Sequence, residues 1–225
     1  MIVASPKPIR ELVQLIDRHD QVLFVGCGTC VTVCLAGGER EVGIAAYAVR
    51  MARRLADRPV QIEQTLIERQ CDNEFIKDLA PAVERNEAVV SFGCGAGVQA
   101  LAERFPAKPV YAALNTQFLG ILEDQAVWTE KCLGCGDCML ATFGGICPVT
   151  RCAKRMLNGP CGGSTEKGCE ADRSRPCAWQ QIYQRLKGIG QLDRLEPIQP
   201  PKDWSKAWHG GARKTIRQEH RIQPG

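Results

Sequence analysis

Eight cysteines crowd into a glycine-rich stretch of the chain, residues 131–177, that has no sustained apolar periodicity. They are Cys132, Cys135, Cys138, Cys147, Cys152, Cys161, Cys169 and Cys177. A segment without regularly spaced apolar residues cannot build a hydrophobic core by itself. It must fold around something else, and clustered thiols indicate either disulfides or metal.

The first twenty residues help to decide between disulfides and metal. They contain no apolar run behind a basic end, so they do not resemble a secretory signal. No apolar run approaches the roughly 18 residues that a membrane span needs. We therefore expect a cytoplasmic protein without a membrane span, in which thiols stay reduced and bind metal.

The strongest motif is Cys132-x2-Cys135-x2-Cys138, followed by Cys147-Pro148. Three thiolates at this interval can converge on one cluster, and Gly134 and Gly136 allow the loop to wrap closely and aim amide N–H groups at the sulfurs. A later Cys-Pro is typical of bacterial [4Fe–4S] ferredoxins. Structural zinc is the alternative, although it does not require three cysteines in one such run.

The remaining cysteines of this stretch would suit a second four-iron cluster in a ferredoxin-like module. The spacing after Cys147 departs from the short ferredoxin pattern, so the sequence does not assign each cysteine to a cluster. Cys152 or Cys169 could instead be a buried free thiol, since free cysteine packs as a small apolar residue.

Residues 1–125 alternate between strand-like and helix-like stretches. Strands are expected at 21–26, 60–67, 88–92 and 110–114, and helices at 39–56, 72–83 and 97–104. This order predicts an α/β fold with a small doubly wound parallel sheet. We expect this domain over 1–125, a Cys-rich iron–sulfur module over 126–180, and a helix with an extended docking tail over 181–225.

Five further cysteines follow the predicted strands. Cys27 follows the first strand, with Cys30 and Cys34 on one face of the following helix, while Cys71 and Cys94 follow the next two strands. Binding sites in parallel sheets form beyond the carboxyl ends of the strands. We expect the five to lie together, four of them binding a third cluster and one being spare; structural zinc is again the alternative. The neighbouring glycines do not complete a dinucleotide motif and are expected to admit backbone close to the cluster.

Charge and catalytic residues limit the function further. Residues 1–150 carry 14 Lys/Arg and 18 Asp/Glu, whereas residues 151–225 carry 15 and 7. The basic part lacks a dense run interleaved with aromatics, so nucleic acid is not expected as a partner. We expect an acidic protein partner instead, contacted by Trp204, Trp208, Lys202, Arg213, Lys214 and Arg217. The three histidines lie near the chain ends, which gives no support for a Cys–His nucleophile.

Several segments together resemble the methylenetetrahydrofolate reductase C-terminal domain family, whose members include the MetV-like iron–sulfur small subunits. The segments are GCGTCVTVCLAGGEREV at 26–42, ERQCDNEF at 68–75, ALNTQFLG at 113–120, CLGCGDCML at 132–140, GGICPVTRCAK at 144–154 and LNGPCGGS at 157–164. The resemblance extends in order over about residues 10–205.

The resemblance implies a non-catalytic electron-transfer subunit of a methylenetetrahydrofolate reductase complex in the one-carbon metabolism of anaerobes. Its partners would be a flavin-bearing MetF-like catalytic subunit and an upstream donor, either ferredoxin or an iron–sulfur or nicotinamide-oxidising module. All thirteen cysteines would be candidate ligands of two or three [4Fe–4S] clusters, with zinc possible at one site. Two alternatives remain: a structural zinc and iron–sulfur subunit, and a self-contained enzyme with a substrate-binding cluster.

Overall fold

The computed structural model describes residues 1–207 and 211–220, and it separates into two compact units, Met1–Glu130 and Lys131–Gly225. The first unit begins with β1 (Ile2–Pro6), α1 (Ile9–Leu15), β2 (Gln21–Cys27), α2 (Cys30–Val33), α3 (Glu39–Leu55), β3 (Gln61–Ile67), α4 (Asn73–Ile76) and α5 (Ala80–Arg85). It continues with β4 (Ala88–Ser91), α6 (Gly95–Arg104), β5 (Val110–Ala112), β6 (Leu114–Asp124) and β7 (Val127–Cys132). The second unit contains α7 (Pro148–Arg151) and α8 (Ala178–Gly188).

Four strands form a parallel sheet in the order β3-β2-β4-β5. After β2 the chain first adds β3 on one side of it, and then crosses over to add β4 and β5 on the other side. The strand order therefore reverses at the β2–β4 boundary, which is where open parallel sheets place their binding sites.

Helices cover both faces of this sheet. Phe24 of β2 packs into a core that includes Leu12 of α1 and Val49 of α3, whereas Leu23 and Val25 face the opposite core with Leu101 of α6. Successive residues of a strand point to opposite faces, so a strand buried on both sides is apolar throughout. The predicted α/β class with a doubly wound parallel sheet is confirmed.

Two features of this unit differ from the sequence-based expectation. A second, antiparallel sheet of order β1-β6-β7 was not predicted. The single helix expected over 72–83 is instead α4, a 3₁₀ turn over Lys77–Leu79, and α5. The restart follows from Pro81, which lies in the first turn of α5, because proline cannot donate the backbone hydrogen bond that a helix interior requires.

The second unit has a small apolar core formed mainly by one helix. Its buried cluster consists of Phe143, Trp179, Ile182 and Leu186, and the last three belong to α8. Phe143 meets Trp179 edge-on, with ring centroids 5.5 Å apart. Residues 131–177 thus contribute a single side chain to this cluster, in accord with their lack of apolar periodicity. Among the helices of the described residues, none is both long and apolar enough to cross a membrane.

Candidate metal centres

Three neighbouring strands each deliver a cysteine to the carboxyl edge of the parallel sheet. Cys27 is the last residue of β2 and pairs in register with Ile67, the last residue of β3. Cys71 follows β3 four residues later, and Cys94 follows the end of β4 by three residues. β3 and β4 flank β2, so the loops that follow them emerge beside Cys27.

Four thiols lie at or just beyond the ends of β2 and its two neighbours; they are Cys27, Cys30, Cys71 and Cys94, and we call them the sheet-edge group. Cys27 Sγ lies 3.8 Å from the carbonyl of Glu68, in the loop that carries Cys71. Burial raises the pKa of the Cys71 thiol, and the negative charges of the Cys94, Cys27 and Cys30 thiolates raise it further.

Cys34 lies in different surroundings from this group. It is 5 % exposed and packs in the apolar core, where the backbone N–H of Ala4 approaches its Sγ at 3.5 Å. Burial raises the pKa of its thiol, and the charge of the Cys30 thiolate raises it further. Cys34 directly follows α2, and its backbone N–H still donates to the Cys30 carbonyl at 3.1 Å, one helical turn away, before Leu35 turns the chain with a φ of 54°.

A buried glutamine links the three loops that carry the sheet-edge group. Gln70 is fully buried, its Nε2 donates to the carbonyl of Val25 at 2.8 Å, and its Oε1 accepts from Ser91 Oγ at 2.5 Å. Ser91 Oγ in turn accepts from the N–H of Gly93 at 3.1 Å. The side-chain amide of Gln70, the residue before Cys71, is thus bonded directly to Val25 of β2, and through Ser91 to Gly93, the residue before Cys94.

The glycines around Cys94 make room for this amide. A Cβ on Gly93 would lie 2.5 Å from Gln70 Oε1, and one on Gly97 would lie 2.7 Å from Gln70 Cβ. Sequence reasoning assigned these glycines to close backbone approach toward a cluster and missed Gln70. The sequence did contain a signal for this role: an uncharged glutamine stands directly before Cys71, in the loop after β3, and its side chain can both donate and accept a hydrogen bond.

Gln70→Leu is expected to destabilise the protein by about 1–3 kcal/mol, because it leaves the buried Ser91 hydroxyl without its acceptor. It should also speed metal release from the sheet-edge group to a chelator. Asn86→Leu is the matched control: Asn86 is 5 % exposed and binds Glu63 and the Ala82 carbonyl before the start of β4. Thermal melts and chelator kinetics should show similar destabilisation in both variants and faster release only in Gln70→Leu. Equal release rates would contradict a role for Gln70 at the site.

The Cys132–Cys138 loop has the backbone that its glycines were expected to allow. Gly134 and Gly136 take φ values of 62° and 79°, a region that residues with a Cβ rarely occupy. The N–H of Gly134 points at Cys132 Sγ, 3.3 Å away. Cys132 and Cys138 are exposed and Cys135 is half-buried.

The other five thiols of the second unit lie in three kinds of surroundings. Cys152 and Cys177 pack against the small apolar core, and Cys147 precedes the short helix α7. Cys161 Sγ contacts the Glu170 carboxylate at 3.5 Å, while the backbone N–H of Cys169 binds the Arg175 carbonyl at 2.8 Å.

Hydrogen bonds favour the ionised form of the Cys177 thiol. Burial acts to raise its pKa, but hydrogen bonds from Ser164 and from the backbone N–H groups of Gln180 and Trp179 outweigh burial, so the pKa is lowered. Ser164 Oγ lies 3.2 Å from Cys177 Sγ. Because thiolate is the form that ligates metal, this environment favours metal binding.

The donor chemistry of both units fits metal. Within residues 1–207 and 211–220, no three His, Cys, Asp or Glu side chains converge closely enough to hold a single metal ion. A tetrahedral zinc site with Zn–S bonds of about 2.3 Å needs sulfurs about 3.8 Å apart, whereas an iron–sulfur cluster separates its ligands more widely. Thr150 Oγ1, between Cys147 and Cys152 in sequence, is buried and has no hydrogen-bond partner among the described residues. Such a hydroxyl could donate to a sulfur atom of a bound centre.

Part of the basic tail contacts the second unit itself. Lys202 and Arg213, expected to reach a partner, bind the Cys132–Cys138 loop. Trp204 is 42 % exposed, and the Arg155 guanidinium lies 5.4 Å from its ring centroid. Lys214 and Arg217 are exposed, and Trp208 lies outside the described residues.

The geometry defines an α/β protein with a cysteine-rich second unit. Thiols that could bind metal lie both at the edge of the parallel sheet and in the second unit. Residues 111–205 match the family described as Methylene-tetrahydrofolate reductase C terminal. The resemblance expected from the sequence is thereby confirmed for residues 111–205, which are less than half of the chain. All eight cysteines of 131–177 lie within the match and the sheet-edge group lies outside it. No curated protein and no solved structure matches the chain.

Proposed function

We propose that the protein is the iron–sulfur electron-transfer subunit of a methylenetetrahydrofolate reductase complex, passing electrons to the flavin of a MetF-like catalytic subunit. The observation that carries the proposal is the family match, which includes the complete series from Cys132 to Cys177. Bound [4Fe–4S] clusters would supply one-electron redox chemistry.

We assign the ligands of the first unit to the sheet-edge group. Cys27, Cys30, Cys71 and Cys94 supply four thiols, the number that a four-iron cluster takes. Cys34 is the spare fifth cysteine, because its Sγ contacts the backbone of Ala4 in β1, whereas the Sγ of Cys27, which is buried in the same core, contacts the Glu68 carbonyl in the loop that carries Cys71. In the second unit, Cys132, Cys135 and Cys138 hold a cluster together with one of the later thiols.

The scarcity of acid–base groups supports electron transfer over catalysis. Histidines occur only at positions 19, 209 and 220, and none of them adjoins a cysteine motif. His19 is engaged with Tyr111, whose hydroxyl lies 3.0 Å from its Nε2. Substrate chemistry therefore belongs to the partner, and this chain holds and positions redox centres.

Anaerobic purification with metal analysis and a flavin-reduction assay tests the proposal. Three four-iron clusters correspond to about twelve irons per chain. With a chemically reduced ferredoxin as donor, the partner's flavin should be reduced only when this chain is present. Equal flavin reduction without the chain would contradict electron transfer. About eight irons and one zinc, without accelerated flavin reduction, would favour the structural subunit instead.

A further inference from the structure

Two lysines from the C-terminal part of the chain converge on one aspartate of the Cys132–Cys138 loop. Lys202 Nζ donates to the Asp137 carbonyl at 2.6 Å and lies 3.8 Å from the Asp137 carboxylate. Lys206 Nζ lies 3.1 Å from the other carboxylate oxygen. The sequence alone indicated a solvated carboxylate, whereas the structure engages Asp137 from two sides.

An arginine fastens the same region at a second point. Arg213 Nη2 donates to the carbonyl of Gly134, and its Nη1 donates to the carbonyl of Lys206, both at 3.0 Å. The Lys206 carbonyl also lies against Gly136, where a Cβ would approach it to 2.6 Å. Gly136 is thus needed for its left-handed backbone and for this close contact.

The burial of Lys202 is the most informative feature of this contact. Its side chain is 3 % exposed, whereas the carboxylate facing it is 45 % exposed. Burying an ammonium group is costly unless negative charge and hydrogen-bond acceptors surround it. An ammonium has three N–H donors, and the Asp137 carbonyl takes one of them. The Asp137 carboxylate and the Trp204 ring, whose centroid lies 6.0 Å from Nζ, also stabilise the ammonium, and negative charge on the thiolates of the loop would add to this.

We propose that Lys202, Lys206 and Arg213 form a cationic strap that sets the reduction potential of the metal centre held by Cys132, Cys135 and Cys138. The inference rests on the proposed function. Reduction adds one electron and so one negative charge to the centre, without a proton. Three fixed positive charges stabilise the reduced form more than the oxidised form, and make the potential less negative.

The test uses the full-length chain, purified anaerobically and titrated with dithionite while its EPR signals are followed. Lys202→Gln and Arg213→Gln should each shift the midpoint of one centre to a more negative potential, and the double variant should shift it further. Lys202→Arg keeps the charge and should restore the wild-type midpoint. Lys214→Gln removes the same charge from an exposed neighbour of the strap and serves as the matched control.

A second variant keeps the test decisive if Lys202→Gln loses iron. Lys206 has a half-exposed side chain, so Lys206→Gln removes a strap charge without emptying a buried position. Full iron content with unshifted midpoints in Lys206→Gln and Arg213→Gln would overturn the strap and leave the proposed function intact. A wild-type protein without iron would overturn both. Limited proteolysis adds an independent readout, since loss of the strap contacts should speed cleavage after residue 202.

Discussion

Cys94→Ser protein is expected to lose the metal of the sheet-edge group, while Cys34→Ser protein is expected to keep it. Cys94 caps the amino end of α6 within charge range of Cys71, whereas Cys34 is buried in the core beside β1. Serine provides no thiolate, so a site that uses Cys94 loses one of its four ligands. The loss should amount to about four irons per chain if a four-iron cluster occupies the group.

Iron analysis and EPR spectra of the two variants measure this difference directly. The chemical change is the same in both, and a serine at position 34 can still accept from the Ala4 backbone N–H. Each protein should first be shown to melt cooperatively, so that unfolding is not mistaken for ligand loss. Iron lost from Cys34→Ser and retained in Cys94→Ser would reverse the ligand assignment.

Cys135→Ser is expected to release iron from the second unit and to leave residues 131–177 sensitive to protease. Phe143 is the one member of the buried cluster of that unit that this segment supplies, with Met139 and Ile146 packed partly against it, so we expect the fold of the segment to depend on bound metal more than on apolar burial. Limited proteolysis followed by mass spectrometry would locate the cuts. Residues 1–130 have their own cores and should resist cleavage as an internal control. An unchanged cleavage pattern with unchanged iron would remove Cys135 from the ligand set.

The parallel sheet could be predicted because its central strands β2 and β4 are short apolar runs that end near a glycine or a polar residue, while the edge strand β3 mixes polar and apolar residues. The antiparallel sheet could not, since β6 exposes most of its residues and shows no apolar alternation. Its strands are instead defined by pairing with distant partners, such as Ser5 with Asn115. Pairing over such a separation is a tertiary property that local pattern does not report.

The position of the sheet-edge group was predictable from strand order, but its membership was not. Five cysteines follow the predicted strands, and the proposed exclusion of Cys34 depends on the contact of its Sγ with Ala4 in β1, a tertiary contact that local pattern does not report. The part played by Gln70 was likewise hidden, because it requires Val25 and Ser91 to lie side by side in neighbouring strands.

The separation of the cysteines along the chain also orders their assembly. The sheet-edge group draws on positions 27 to 94 and exists only after β2, β3 and β4 have paired. Parallel pairing of this kind is slow, because long loops must close before any contact forms. The Cys132–Cys138 loop spans seven residues, and segments of about ten residues close within about 100 ns. Iron supplied to the full-length chain as it refolds from the unfolded state should therefore reach the local loop first and the sheet edge only after the first unit has folded.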